Sequence, residues 1–257
     1  MCELFGVSAA THIDVTDLLG EFFSHSVRHP NGWGFATFYG NSTSLEKEPV
    51  TATNSEYLRH RLSHKVETCA MIAHIRKATV GTMDYENCHP FVLRDLSHRC
   101  WTFAHNGTMF DCPMLDGYYH VQEGGTDSER VLYCFVDNIN KVITDAGREL
   151  TATERFSLID NLVCRMTPGN KMNFLLSDSE YMYVHTNYAN SLYYLHTQGG
   201  TLFATVPLSK HNWEPMPFIM LCVYRNRDLV YTGTRHGNEY IDNIQDTRYL
   251  FLDYSAL

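Results

Sequence analysis

The chain has 257 residues, 44% hydrophobic and 19% charged, which is enough apolar material for a full core and argues against a disordered chain. Twenty Lys and Arg against 29 Asp and Glu leave a formal charge of −9, with no basic block. That balance excludes the usual nucleic-acid binder and the ligand of anionic membranes.

In chain order, residues 2–9 read as a buried strand and 14–26 as a helix with Leu18, Leu19, Phe22 and Phe23 on one stripe. Pro30-Asn31-Gly32 is turn chemistry before a strand at 34–39. A polar loop or hairpin follows at 41–49, and Asn54 is expected to cap a helix through Tyr57, Leu58, Arg61 and Leu62. Strands are expected at 68–75 and 101–105, the second ending in the tight-turn dipeptide Asn106-Gly107. Thr126 with Glu129 reads as a capping box opening a helix over 127–140, and a further helix covers 153–166. Short strands then recur at 173–176, 181–185, 191–196, 202–206, 218–224 and 229–231. Two strand groups separated by long helices predict an α+β fold, with sheets face to face, helices outside, and one domain over 1–257.

Eight cysteines without a Cys-x-x-Cys pair read as free thiols of a cytoplasmic protein. The start Met1-Cys2-Glu3 has neither the basic nor the apolar region of a secretory signal, and the longest apolar run, 218–224, is far too short to span a membrane. The 14 histidines show no zincin spacing, and Cys88-His89 and His98-x-Cys100 are too sparse for a metal site. No metal or cofactor is expected.

Cys2 carries the chemistry that stands out. A small second residue favours removal of the initiator methionine, which would leave a free α-amine on the residue that owns the thiol. An α-amine has a pKa near ~7.7 and can serve as a base at neutral pH. Arg76, just past an apolar strand, could receive a carboxylate. Asn106 and Gly107 together offer a side-chain and a backbone N–H, as an oxyanion hole requires. Asp127, at a helix start, could receive an ammonium. Each residue also has a plainer reading: a small strand residue, a solvated strand end, a hairpin turn, a first-turn acid. Taken together they match a ligand with an α-carboxylate, an α-ammonium and a remote amide, such as glutamine or a γ-glutamyl compound.

Six segments carry a family resemblance: Met1-Cys2-Glu3-Leu4-Phe5-Gly6, His29-Pro30-Asn31-Gly32-Trp33-Gly34, Ala73-His74-Ile75-Arg76-Lys77-Ala78-Thr79, Asn87-Cys88-His89-Pro90-Phe91, His105-Asn106-Gly107 and Gly125-Thr126-Asp127-Ser128-Glu129. In this order the chain resembles the glutaminase domain of class II glutamine amidotransferases, which are N-terminal nucleophile hydrolases. The resemblance implies a four-layer αββα sandwich. It implies that Cys2 attacks the γ-carbonyl, Asn106 and Gly107 bind the oxyanion, Arg76 takes the α-carboxylate and Asp127 the α-ammonium. It also implies that Thr79 and His89 border the pocket. The segment at His29–Gly34 resembles the stand-alone members rather than the large biosynthetic ones. The function expected is hydrolysis of glutamine or a γ-glutamyl compound through a covalent γ-glutamyl-enzyme. Two alternatives stay open: an ammonia-supplying glutaminase subunit that needs a separate synthase partner, and a catalytically silent γ-glutamyl-binding protein.

Overall fold

The structure, a computed structural model, describes residues 1–78 and 82–243. The first half of the chain gives strands β1 (Glu3–Asp14), β2 (Trp33–Tyr39), β3 (Ser42–Glu48), β4 (Glu67–Ile75), β5 (Phe91–Arg94) and β6 (Cys100–Thr108). The second half gives β7 (Lys171–Ser177), β8 (Met182–Thr186), β9 (Tyr193–His196), β10 (Gly200–Ala204), β11 (Glu214–Pro215), β12 (Met220–Arg225) and β13 (Asp228–Thr232). The α-helices are α1 (Thr16–Ser24), α2 (Glu56–Leu62), α3 (Asp127–Ala146) and α4 (Ala152–Met166).

Alternation in β1 sets the frame. Phe5, Val7 and Ala9 enter one core and Leu4 another, so the strand is buried on both faces and must lie inside a layered structure. It does: the first sheet runs β11-β9-β10-β1-β4-β2-β3 and the second β13-β12-β8-β7-β6-β5, with every observed pairing antiparallel. Between the sheets, Leu4, Ala36 and Ile72 meet Ala104, Leu175 and Val184. Helices α1 and α2 cover the first sheet, with Leu19, Phe22 and Leu58 on Phe5, Trp33 and Phe35. Helices α3 and α4 cover the second, with Phe135, Phe156 and Ile159 near Trp101, Phe103 and Phe174. The result is the α+β, αββα four-layer sandwich expected from the sequence.

Local details differ from expectation. The 41–49 region takes the hairpin form, one of the two expected for it, because β3 pairs along the whole of β2. Helix α2 is capped by Ser55, whose hydroxyl accepts the Leu58 N–H at 2.9 Å, rather than by Asn54. β5 was not anticipated from its four residues. The Thr126 hydroxyl does cap α3 through the Glu129 N–H, but the Glu129 carboxylate turns to the N–H groups of Glu123 and Gly124. The complete capping box is at Thr151 and Glu154, opening α4.

A buried ion pair ties α4 to the turn between β7 and β8. Arg155 Nε donates to Asp178 Oδ2 at 2.7 Å, with the two side chains 4% and 0% exposed. Tyr183 OH donates to the same Asp178 oxygen at 2.9 Å. Removing the cation alone would strand a buried carboxylate. Arg155→Met is therefore expected to lower stability by about 3–5 kcal/mol in urea denaturation. A loss below about 1 kcal/mol would show that the pair does not anchor the helix.

Candidate active site

Antiparallel pairing brings the start of one strand to the end of its neighbour. Glu3 pairs with Ile75, so Cys2 falls beside Arg76 and Lys77. Glu3 itself holds the strand start, accepting from His25 Nδ1 at 2.8 Å with His29 Nε2 at 3.6 Å. In the second sheet, Asn106, Gly107 and Thr108 pair with Asn173, Met172 and Lys171. Asn106 and Gly107 therefore do not form the expected turn: β6 continues through them because β7 supplies ladder partners. Leu4 and Ala104 face the inter-sheet core. Two residues along each strand, alternation turns Cys2 and Asn106 toward the same space. Both line one cavity, together with Gly107.

The thiol is tightly held. The Lys77 N–H donates to Cys2 Sγ at 3.3 Å, and Sγ lies 3.4 Å from the Lys77 carbonyl. Burial pushes the Cys2 thiol up from its usual value, and the Lys77 N–H, the chain-terminal amine and Arg76 offset this only in part. Burial acts oppositely on the amine of Met1. It disfavours the ammonium and lowers that pKa, with Lys77 and Lys171 adding to the effect. A raised thiol beside a lowered amine is an acid next to a base.

Arg76 is 2% exposed. Its backbone N–H donates to Gly32 O at 2.8 Å and its Nη1 to Thr82 O at 2.7 Å. Burial lowers its pKa, yet a guanidinium remains charged at any physiological pH. The Asp127 carboxylate is fixed on both oxygens: Oδ2 accepts the Met109 N–H at 2.7 Å and Oδ1 the Ser128 N–H at 2.8 Å. The recess between them is lined by Cys2, Arg76, His89, His105, Gly107 and Asp127, and its free volume is about 20 Å³, room for one water. A second cavity of about 240 Å³ shares Cys2, Lys77 and Gly107 with the recess and adds Asn106, Phe110, Lys171 and Tyr240 to its wall.

His89 borders the recess as a neutral wall. Its ring lies 4.1 Å from that of His74 and 4.5 Å from that of Phe91, and burial holds both imidazoles well below their usual pKa. Gly107 has no room for a side chain, since an added Cβ would sit 2.0 Å from the Lys171 carbonyl oxygen. Thr79 lies outside the described residues. Among the described residues, no three His, Cys, Asp or Glu side chains converge as a metal site.

Sequence reasoning missed three contributors. His105 Nδ1 lies 3.0 Å from Ser128 Oγ and Nε2 lies 3.1 Å from the Lys171 carbonyl, which links β6, β7 and α3 beneath the site. Asn173 faces Asn106 across the ladder. Lys171 lines the larger cavity. A lone Lys before a buried run reads as a solvated strand end, so nothing in the local pattern flagged it.

Known proteins share this chain's family and fold. The family described as "Glutamine amidotransferases class-II" matches residues 1–199. An uncharacterized protein of Methanocaldococcus jannaschii is 30% identical over 91% of this chain and 72% of its own. The crystal structure of a predicted glutamine amidotransferase from Pseudomonas aeruginosa superposes with a TM-score of 0.66 at 20% identity, covering 90% of this chain and all of that one. The glutamine phosphoribosylpyrophosphate amidotransferase of B. subtilis superposes at 0.59 and 19% identity, over 88% of this chain and 47% of that one. At these identities the structural likenesses speak for the fold, that of the N-terminal nucleophile hydrolases, while the family match speaks for descent. The chain belongs to the class II glutamine amidotransferases.

Proposed function

We propose that residues 1–257 act as one glutaminase-type domain that hydrolyses a γ-glutamyl amide through Cys2 after Met1 is removed. The supporting observation is that Cys2, Arg76, Gly107 and Asp127 line a single recess. Removal of Met1 moves the free amine one residue along, onto Cys2 itself.

In this reading Arg76 receives the ligand's α-carboxylate and Asp127 its α-ammonium, with His89 bordering them. The γ-carbonyl then lies at the thiol. The α-amine takes the thiol proton as Sγ bonds to the carbonyl carbon. Asn106 Nδ2 and the Gly107 N–H stabilise the oxyanion that forms. The C–N bond breaks as the amine returns that proton to the leaving nitrogen. Water, activated by the same amine, releases glutamate and restores the thiol. The base is needed because burial keeps the thiol protonated at neutral pH. A recess with room for one water must open at its walls to admit the glutamyl group.

Cys2→Ala should retain the fold and lose turnover of L-glutamine and γ-glutamyl amides, assayed by glutamate release. Intact mass should show a chain lacking Met1 that gains one adduct, at Cys2, from a diazo-ketone analogue of glutamine. A retained Met1 would sink the amine-as-base reading. Asn106→Ala should cost about 10²–10³ in kcat if its amide binds the oxyanion. A loss of only a few-fold would remove it from that role. The amine works deprotonated, so kcat/KM should fall as pH falls through the range in which a chain-terminal amine takes up its proton, about 7.7–8.0 when unperturbed. A rate that holds constant through and well below that range would argue for another base.

A further inference from the structure

We propose that the cavity beyond Cys2 is a subsite for the leaving amine, and that Lys171 there receives a carboxylate carried by that amine. The proposal rests on the γ-glutamyl hydrolase reading and names its substrate class: a γ-glutamyl-linked amino acid or short peptide.

Direction comes first. With the α-end of the ligand in the recess of Arg76 and Asp127, and its γ-carbonyl at Cys2, the leaving nitrogen faces the remaining opening. That opening is the cavity of about 240 Å³. Ammonia is about the size of a water, whose share of liquid volume is about 30 Å³, so the space is several times what glutamine's leaving group needs.

The chemistry of the wall comes second. The Lys171 side chain is 5% exposed, and its Nζ makes no hydrogen bond among the described residues. An ammonium carries three donors, and burying them without an acceptor is costly. The neighbours compensate only in part. Nζ stands 3.1 Å from the centre of the Tyr188 ring and 5.5 Å from that of Tyr240. Asp242 Oδ1 is 3.9 Å away, on a side chain 59% exposed, and the other oxygen of Asp242 accepts from Tyr188 OH. This attraction acts through space and fills none of the three donors. A ligand carboxylate would fill them, with Lys77 as a second cation on the same wall. Phe110 and Tyr240, stacked with centroids 5.6 Å apart and planes 8° apart, give a flat apolar surface beside that charge. An amino-acid or peptide leaving group, with its carboxylate at one end and carbon along its length, matches both.

The step adds no new chemistry. Sγ bonds to the γ-carbon, the C–N bond breaks, and the thiol proton leaves on the departing amine. The Lys171–carboxylate pair keeps its charges throughout and contributes to binding.

The test compares two substrates that each expel a small primary amine and differ by one carboxylate: γ-glutamylglycine and γ-glutamylethylamide. Wild-type protein should favour the glycine compound by about tenfold or more in kcat/KM. In Lys171→Met that ratio should fall toward one, through a higher KM for γ-glutamylglycine. Because the readout is a ratio on one folded protein, a general loss of activity does not mimic it. Should that variant fail to fold, Asp242→Asn probes the same site: removing the rival carboxylate should raise the preference several-fold. Equal wild-type rates on the two substrates overturn the subsite, as does a ratio unchanged by either variant, which would make Lys171 a clasp for Asp242. Absence of turnover on any γ-glutamyl amide, together with no Cys2 adduct from the diazo-ketone, overturns the hydrolase reading and the subsite with it.

Discussion

Everything at the site follows from the two-residue period of a strand buried on both faces. Because Leu4 and Ala104 must fill the space between the sheets, Cys2 and Asn106 cannot point elsewhere. A register slip of one residue would turn the thiol out of the sandwich and a glutamate in. The apolar packing between the sheets is thus the device that aims the Cys2 thiol. It also ends where it must: beyond Leu4 and Ala104 the interior changes from hydrocarbon to thiol, amide and charge.

That same burial produces two opposite shifts on adjacent groups. It raises the Cys2 thiol and lowers the neighbouring amine, because each prefers its neutral form out of water. An exposed version of this pair would hold more of its amine as ammonium, the form that accepts no proton. At the half-closed end of the sandwich the Cys2 thiol and the adjoining Met1 amine are both held toward their neutral forms. The nearby imidazoles of His74 and His89 are held neutral by the same cause and add no positive charge to the recess.

Much of this was legible in the residues. The buried N-terminal strand, the long helices over 127–140 and 153–166, and two face-to-face sheets with helices outside followed from periodicity, capping and the grouping of strands; the four-layer αββα order was what the family resemblance implied. Charge type and strand position pointed to Arg76 and Asp127. What failed did so for tertiary reasons. Asn106-Gly107 has turn chemistry, but β7 offers it a ladder, and pairing outweighs local preference. Asn54 and Ser55 are both capping types, and only backbone geometry decides between them. Glu129 has the spacing of a capping box but closer N–H groups claim its carboxylate. Lys171 and Asn173 lie more than 160 residues from Cys2, and no short-range pattern could join them to it.

Asp160 on α4 accepts the backbone and hydroxyl of Thr234, Asn187 donates to Asn238 O, and the Tyr240 N–H reaches Asn187 O at 2.7 Å. These ties carry the chain back across the molecule to set Tyr240 and Asp242 at the cavity beyond the thiol. The region matched to the family ends at residue 199, short of this segment. The wall of that cavity is therefore shared: Lys77, Phe110 and Lys171 come from the family-matched region, Tyr240 and Asp242 from the segment beyond it. Changes at Tyr240 and Asp242 would reshape the wall and leave untouched the strand pairs that set Cys2 and Asn106 in place.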